Sequence, residues 1–216
     1  MHGRRTTVGL MGGSFNPAHG GHRHVALASI AALGLDEVWW LVSPGNPLKP
    51  RKGMAPLAAR YASARAQARR SRIRPTVIER SLGTRYTAET LRKLRARYPR
   101  IAFIWLMGSD NLAQFDQWKN WRALARTMPI AVFARPGYTG RVHGSTAMAW
   151  LRHFVRPAGQ CRQWTIWRPP ALVHLRFHLD PRSATSIRRA DPDWYLHHHP
   201  DPGRDAVTGR SIPEKE

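Results

Sequence analysis

The stretch Gly12-Gly13-Ser14-Phe15-Asn16-Pro17-Ala18-His19-Gly20-Gly21-His22 decides how this chain reads. An apolar run, Val8 to Met11, precedes it and predicts a short buried strand. An amphipathic run, Val25 to Leu33, follows it and predicts a helix stopped by Gly34. A Gly-Gly turn with a proline is by itself only a turn. Between a strand and a helix N-terminus it is also a place for phosphates. Amide N–H groups point outward there, and the helix dipole favours negative charge. Gly12 and Gly13 put no side chain in the way of a close approach. His19 and His22 are three apart and share one face of the first helical turn. Two imidazoles above a set of amide donors suit a polyphosphate, at the strand end where a doubly wound fold places its ligand. The competing reading is a metal site on His19, His22 and His24, but no Cys or carboxylate stands nearby to complete it.

Composition sets the bounds. The chain has 216 residues and 42% hydrophobic content, enough for one domain with a sizeable core. It has no apolar segment long enough for a membrane span, and its first residues lack the apolar stretch of a secretory signal. A single cysteine, Cys161, excludes an internal disulfide and fits a reducing cytoplasm. The formal net charge is +22, and only Lys49, Lys52, Lys93, Lys119 and Lys215 among the basic residues are lysine. GC-rich coding accounts for the preference for arginine over lysine. It does not account for the scarcity of acids, so attraction of anions is expected. Residues 51 to 100 hold 15 basic residues against Glu79 and Glu89. That patch lacks the interleaved aromatics of a single-strand binder.

The rest of the chain alternates strand and helix signals. Glu37 to Val42 predicts a second strand, followed by a Pro- and Gly-punctuated loop, Ser43 to Pro50. Pro56 opens a helix with Leu57, Tyr61, Ala64 and Ala68 on one face. Its arginines, Arg60, Arg65, Arg69 and Arg70, read as solvated. Arg74 to Ile78 predicts a third strand. Thr87 reads as the N-cap of a helix striped by Leu91, Leu94 and Tyr98. Ile101 to Met107 is uninterrupted and apolar, hence a central strand. Trp118 and Trp121, three apart, read as one helix. Met128 to Ala134 and Leu172 to Leu175 predict further strands, with a helix and irregular cover over residues 139–170. Ser183 or Thr185 caps a last helix, from whose first turn Arg188 projects. The tail from His197 reads as disordered.

The first motif, Gly-Ser-Phe-Asn-Pro-x-His-x-Gly-His, resembles the T/HxGH motif of the nucleotidyltransferase superfamily, and within it bacterial nicotinate-nucleotide adenylyltransferases. The family more often carries Asp where this chain has Asn16. Asp180-Pro181-Arg182-Ser183-Ala184-Thr185-Ser186-Ile187-Arg188 resembles the family's second motif, with Arg182 in a usually apolar place. The resemblance runs from Thr7 to about Leu196. It implies that Gly12, Gly13, Ser14, Phe15, His19, His22, Ser183, Thr185, Ser186 and Arg188 bind ATP. Gly108 and Asp110 match a Gly-x-Asp segment facing nucleotide and ribose hydroxyls, and Arg135 a segment lying near adenine. Lys49 matches a basic residue that reaches the nucleotide phosphates. Tyr86 and Thr87 match a segment that contacts the nicotinate ring and carboxylate, and Trp118 an aromatic that stacks on the ring. Asn16 joins Lys49, Tyr86, Thr87 and Trp118 on the nicotinate mononucleotide side.

The expectation is a single α/β, Rossmann-like domain over 1–196 with a mostly parallel, doubly wound sheet and a C-terminal helical segment. Residues 197–216 are expected as a disordered tail. The expected reaction is transfer of AMP from ATP to nicotinate mononucleotide, with His19, His22, Lys49 and Arg188 catalytic. Mg²⁺ is expected to be held by phosphates and water rather than by a protein cage. A cytoplasmic enzyme is expected, with no membrane and no specific nucleic acid as partner, and a homo-oligomer is compatible. Two alternatives stand beside it. A pantetheine-phosphate or cytidylyl nucleotidyltransferase would share the first motif without needing Tyr86, Thr87 and Trp118. A basic nucleic-acid-binding protein would show steep salt dependence without pyrophosphate release.

Overall fold

The computed structural model describes residues 4–45, 53–134, 142, 144–177, 180, 182–198 and 203–212. Lys49, Arg135 and most of the loop expected over 43–50 lie outside these residues. Seven strands among the described residues form one sheet in the order β3-β2-β1-β4-β5-β7-β6. They are β1 (Thr6–Gly13), β2 (Glu37–Val42), β3 (Ile73–Thr76), β4 (Ile101–Gly108), β5 (Ile130–Phe133), β6 (Val155–Arg156) and β7 (Leu172–Leu175). The pairs β2/β3, β4/β5, β5/β7 and β6/β7 are parallel. The expected α/β class with a parallel sheet holds. Strand order reverses at β1, the strand that leads into the Gly-rich segment.

By its contacts the chain divides into two compact units. The first holds Met1–Leu10, Ala28–Asp36 and Tyr86–His178. Its core is the apolar sequence of β4 and β5, with Ile104, Ile130, Ala131 and Val132 fully buried. Helices α4 (Thr87–Arg97) and α6 (Trp121–Thr127) pack on one another, and their Leu91, Leu94 and Leu124 are buried. Residues 139–170 include α7 (Thr146–Leu151), the two-residue β6 and a 3-10 segment, Ala158–Ile166. That last segment has a definite task. Helix α1 (Gly20–Leu33) ends with carbonyls that its own backbone cannot satisfy. Arg162 Nη2 donates to Ala31 O at 2.9 Å, Cys161 Sγ to Ala32 O at 3.3 Å and Trp164 Nε1 to Leu33 O at 3.0 Å. Irregular cover is therefore a side-chain cap. Its contacts have no period, which is why sequence pattern did not reveal it.

Asp36 closes the turn after α1. Its Oδ2 accepts from Thr7 N and Thr7 Oγ1, both at 2.8 Å, and Arg4 pairs with its Oδ1. The Thr7 amide first, and the Arg4 guanidinium next, hold its carboxyl down at about 2.

The second unit holds Met11–Leu27, Glu37–Arg85 and Leu179–Glu216. Strands β2 and β3 pack with helix α2 (Leu57–Ala68), and Trp40 and Tyr61 are fully buried. Strand β3 stops at Thr76, and Ile78 opens the single turn α3 (Ile78–Ser81) instead of ending a strand. The cause lies far along the chain. Asp205, 3% exposed, accepts from Thr76 Oγ1 at 2.9 Å and from Val77 N at 2.6 Å. It also accepts from Val207 N and Thr208 N at 2.9 and 2.8 Å. Tyr61 Oη donates to Arg204 O and accepts from Ala206 N. The disordered tail expected over 197–216 is thus corrected for Gly203 to Ile212. One buried carboxylate and one buried phenol fasten that segment, although its composition is polar.

Two stability outcomes follow from these carboxylates. Asp205→Ala leaves a hydroxyl and several amides without their acceptor. The expected loss is about 2–3 kcal/mol, read as a melting temperature lower by roughly 4–12 °C. For Asp36 the folded value lies below the ordinary 3.8, so its stabilisation is complete above that value and is lost as pH falls through about 2. Asp36→Asn should therefore be less stable than the parent at pH 7, and urea titrations should show the gap narrowing between about pH 4 and pH 2.

Candidate functional site

In the second unit, β1 ends at Gly13, and α1 starts at Gly20, before the apolar periodicity that begins at Val25. The five extra residues form a polar first turn that a search for apolar spacing misses. His22 N donates to His19 O at 3.0 Å and sets that turn. The two imidazoles lie side by side, ring centroids 3.9 Å apart. Each uses the same nitrogen on the backbone: His22 Nδ1 accepts from His19 N at 3.2 Å, and His19 Nδ1 from Gly21 N at 3.1 Å. With Nδ1 an acceptor, the neutral ring carries its proton on Nε2. Both rings then act as N–H donors at Nε2, which suits phosphate oxygens. A metal would need that nitrogen unprotonated. Among the described residues no group of three or more His, Cys, Asp or Glu side chains could hold a metal ion.

Phe15 shapes the loop between strand and helix. Its φ is +46°, in the left-handed region that a bulky side chain seldom enters, at a cost of about 1–2 kcal/mol. Its ring is 1% exposed and stacks at 5.0 Å on Trp40 and 4.9 Å from His22. Burial of that ring contributes about 1.5–3 kcal/mol and offsets the backbone cost. Asn16 is 6% exposed and spends its amide on the chain itself. Nδ2 donates to Gly53 O at 2.9 Å, and Oδ1 accepts from Ala55 N at 3.2 Å. Both ends of the Asn16 side chain thus bind the backbone before α2.

The second motif comes to the same loop. Arg188 Nη1 donates to Asn16 O at 2.5 Å, and Nη2 to Thr185 Oγ1 at 3.4 Å. Helix α8 (Ala184–Ala190) is capped by Ser183, whose Oγ accepts from Ser186 N at 3.1 Å. Ser186 Oγ in turn donates to Ser183 O. Arg182, the departure from the family's pattern, pairs with Asp180 and holds that carboxyl well below the usual range. A Cβ at Gly20 would overlap the Arg182 guanidinium, so glycine there lets the arginine cross the start of α1. Gly12, Gly13, Ser14, Phe15, Asn16, His19, His22, Ser183, Thr185, Ser186 and Arg188 thus all lie in the second unit.

Sequence reading missed Arg60 altogether. It does not lie solvated on α2 but is fully buried. Nε donates to Ala55 O at 2.9 Å, and Nη1 to Ser14 O at 2.9 Å and Ser43 O at 2.6 Å. Its place on the helix, one residue before the apolar Tyr61, gave no sign, since the carbonyls it meets come from loops.

Of the remaining expected residues, Tyr86, Thr87, Gly108, Asp110 and Trp118 belong to the first unit. Gly108 ends β4 and is the N-cap of α5 (Ser109–Leu112), whose first turn holds the half-buried Asp110. Tyr86, not Thr87, takes the N-cap position of α4. It is extended at φ −118° and makes no side-chain cap hydrogen bond. Trp118 and Trp121 do not share a helix. Trp118 closes the 3-10 turn Phe115–Gln117, and Asn120, at φ +56°, separates it from α6. Trp118 is half-buried and meets Phe115 edge-on at 5.5 Å. Lys119, another residue not singled out, holds Nζ 4.3 Å from the Tyr86 ring centroid, a cation–π contact. One half-buried tyrosine, a helix start, an indole and an ammonium are thus grouped along this part of the chain.

A family model described as cytidylyltransferase-like matches residues 10–190. A relative from Erythrobacter litoralis named probable nicotinate-nucleotide adenylyltransferase is 62% identical over 205 residues, which cover 95% of this chain and 94% of the relative. One of the same name from Parvibaculum lavamentivorans is 51% identical over 181 residues, 84% of this chain and 90% of the relative. Among solved structures, the Plasmodium falciparum nicotinic acid mononucleotide adenylyltransferase complexed with APC is similar with a TM-score of 0.58 at 15% identity, over 85% of this chain and 83% of that one. The last likeness speaks for the fold, and the first three for descent. The chain belongs to the cytidylyltransferase-like family, among its nicotinate-nucleotide adenylyltransferases.

Proposed function

We propose that this chain transfers AMP from ATP to nicotinate mononucleotide, forming nicotinate adenine dinucleotide and pyrophosphate. One observation carries the reading most: the guanidinium of Arg188 reaches the loop that bears His19 and His22, so two distant motifs serve one anion-accepting turn. The names of the close relatives supply the acceptor.

A phosphate oxygen of the mononucleotide attacks the α-phosphorus of ATP in line with the bond to the β-phosphate. That bond breaks, and its electron pair leaves on pyrophosphate. The attacking oxygen is ionised at pH 7, so no proton has to be removed. Catalysis rests on alignment and on neutralising charge. The Nε2–H groups of His19 and His22 donate to phosphate oxygens, and Arg188 offers paired N–H donors. Gly12, Gly13, Ser14 and Phe15 contribute backbone, and Ser183, Thr185 and Ser186 hydroxyls and amides. Lys49 and Arg135, outside the described residues, are assigned by the family resemblance to the phosphates and the adenine. Gly108 and Asp110 meet ribose hydroxyls. Tyr86, Thr87 and Trp118 receive the nicotinate ring and carboxylate, with Lys119 as an added cation and Asn16 as the loop's anchor. Among the described residues no group of three or more His, Cys, Asp or Glu side chains could cage a metal ion; Mg²⁺ would be held by the substrate phosphates and water, and would supply neutralisation of phosphate charge. The setting is the cytoplasm; no described helix is long and apolar enough to cross a membrane.

Pyrophosphate release from ATP, measured side by side with nicotinate and nicotinamide mononucleotides, tests the reading. The expected result is at least a roughly tenfold higher kcat/KM for the acid. Equal rates would remove the carboxylate role of the Tyr86 segment. His22→Ala should lower kcat by about 10²–10³-fold, with a melting temperature within a few degrees of the parent. A folded, fully active variant would reject the donor role.

A further inference from the structure

We infer that Arg60 is a positioning residue for phosphate binding, acting from beneath the loop and never touching substrate; this rests on the proposed use of residues 12–22 for ATP. Three strands of argument support it. First, the guanidinium gathers carbonyls from three separate segments. Ser14 O follows β1, Ser43 O follows β2, and Ala55 O precedes α2. Ser43 N also donates to Gly13 O at 3.0 Å, so the segments after β1 and β2 are bound to each other as well as to Arg60.

Second, peptide geometry converts that grip into an orientation. In a trans peptide the carbonyl and the following N–H point opposite ways. Arg60 takes the Ser14 carbonyl at 2.9 Å, so the Phe15 N–H is turned to the face away from the guanidinium. The left-handed Phe15 backbone, at φ +46°, is held in the same stroke, with its ring against Trp40 and His22. The anion-facing amide and the imidazole beside it therefore share one support.

Third, the shape of the guanidinium suits three carbonyls that arrive from different directions. The planar fork of Arg60 directs several N–H groups at fixed angles, whereas a lysine ammonium is a point charge on a flexible stem. Full burial of the group means that the contacts, not solvent, satisfy it. Arg60→Lys keeps the charge and loses the fork; Arg60→Met loses both.

The experiment uses the full chain in three forms: parent, Arg60→Lys and Arg60→Met. Pyrophosphate binding is measured by calorimetry, and turnover by pyrophosphate release from ATP with nicotinate mononucleotide. For Arg60→Lys the expected result is pyrophosphate affinity about tenfold weaker and kcat lower by roughly 30- to 100-fold, while KM for the mononucleotide stays within about twofold and the fold persists. Arg60→Met should lose at least as much. A folded Arg60→Lys chain with parental pyrophosphate affinity and kcat would overturn the inference. Where the variants do not fold, the parent decides. The ¹⁵N–¹H resonance of Phe15 should shift on titration with pyrophosphate, and a resonance that stays in place while pyrophosphate binds would overturn it. A parent that binds pyrophosphate but releases none from ATP removes the reaction and leaves the role of Arg60 to be read from binding alone.

Discussion

A chain that offers backbone amides to an anion must turn the matching carbonyls the other way and satisfy them there. In this protein the buried guanidinium of Arg60 does that, accepting nothing and donating to Ser14, Ser43 and Ala55. Asn16 completes the arrangement from the side, with its amide spent on Gly53 and Ala55. The strained Phe15 backbone, the paired imidazoles and the reach of Arg188 all depend on a loop fixed in this way. Without a satisfied underside, the turn after β1 would be one of many conformations a Gly-rich segment can take.

The two units carry different chemistry. The second concentrates donors: two imidazoles with Nδ1 tied to backbone amides, two arginines of the second motif and the hydroxyls that cap α8. The first holds the half-buried rings of Trp118 and Tyr86, the former backed by the buried Phe115, and adds single charges in Asp110 and Lys119. N–H and O–H donors suit a triphosphate, and an indole beside a cation suits an aromatic acid.

Polar side chains also decide where the fold stops. Asp205 ends β3 from a distance of more than a hundred residues, and Asp36 fastens the turn between α1 and β2. Cys161, Arg162 and Trp164 cap α1 through side chains. Each is a hydrogen bond to an otherwise unsatisfied backbone group, so each is local in energy and remote in sequence.

Residue pattern alone determined the class of fold and the position of most strands. Glu37 to Val42 and Leu172 to Leu175 were read to the residue, because buried parallel strands are mostly apolar runs, here opened by Glu37 and broken by His174. It also located the two motifs that meet at the loop after β1, because their residue types and spacing lie within short segments. Tertiary structure alone decided the burial of Arg60, the use of the Asn16 amide, the ordering of Gly203 to Ile212 and the capping work of residues 158–166. None of these has a period, and each partner comes from another part of the chain. A helix pattern tells which side is apolar; it does not tell which polar residue will meet a loop's carbonyls. That is settled only when the segments are brought together, because a hydrogen bond is earned by position and not by propensity.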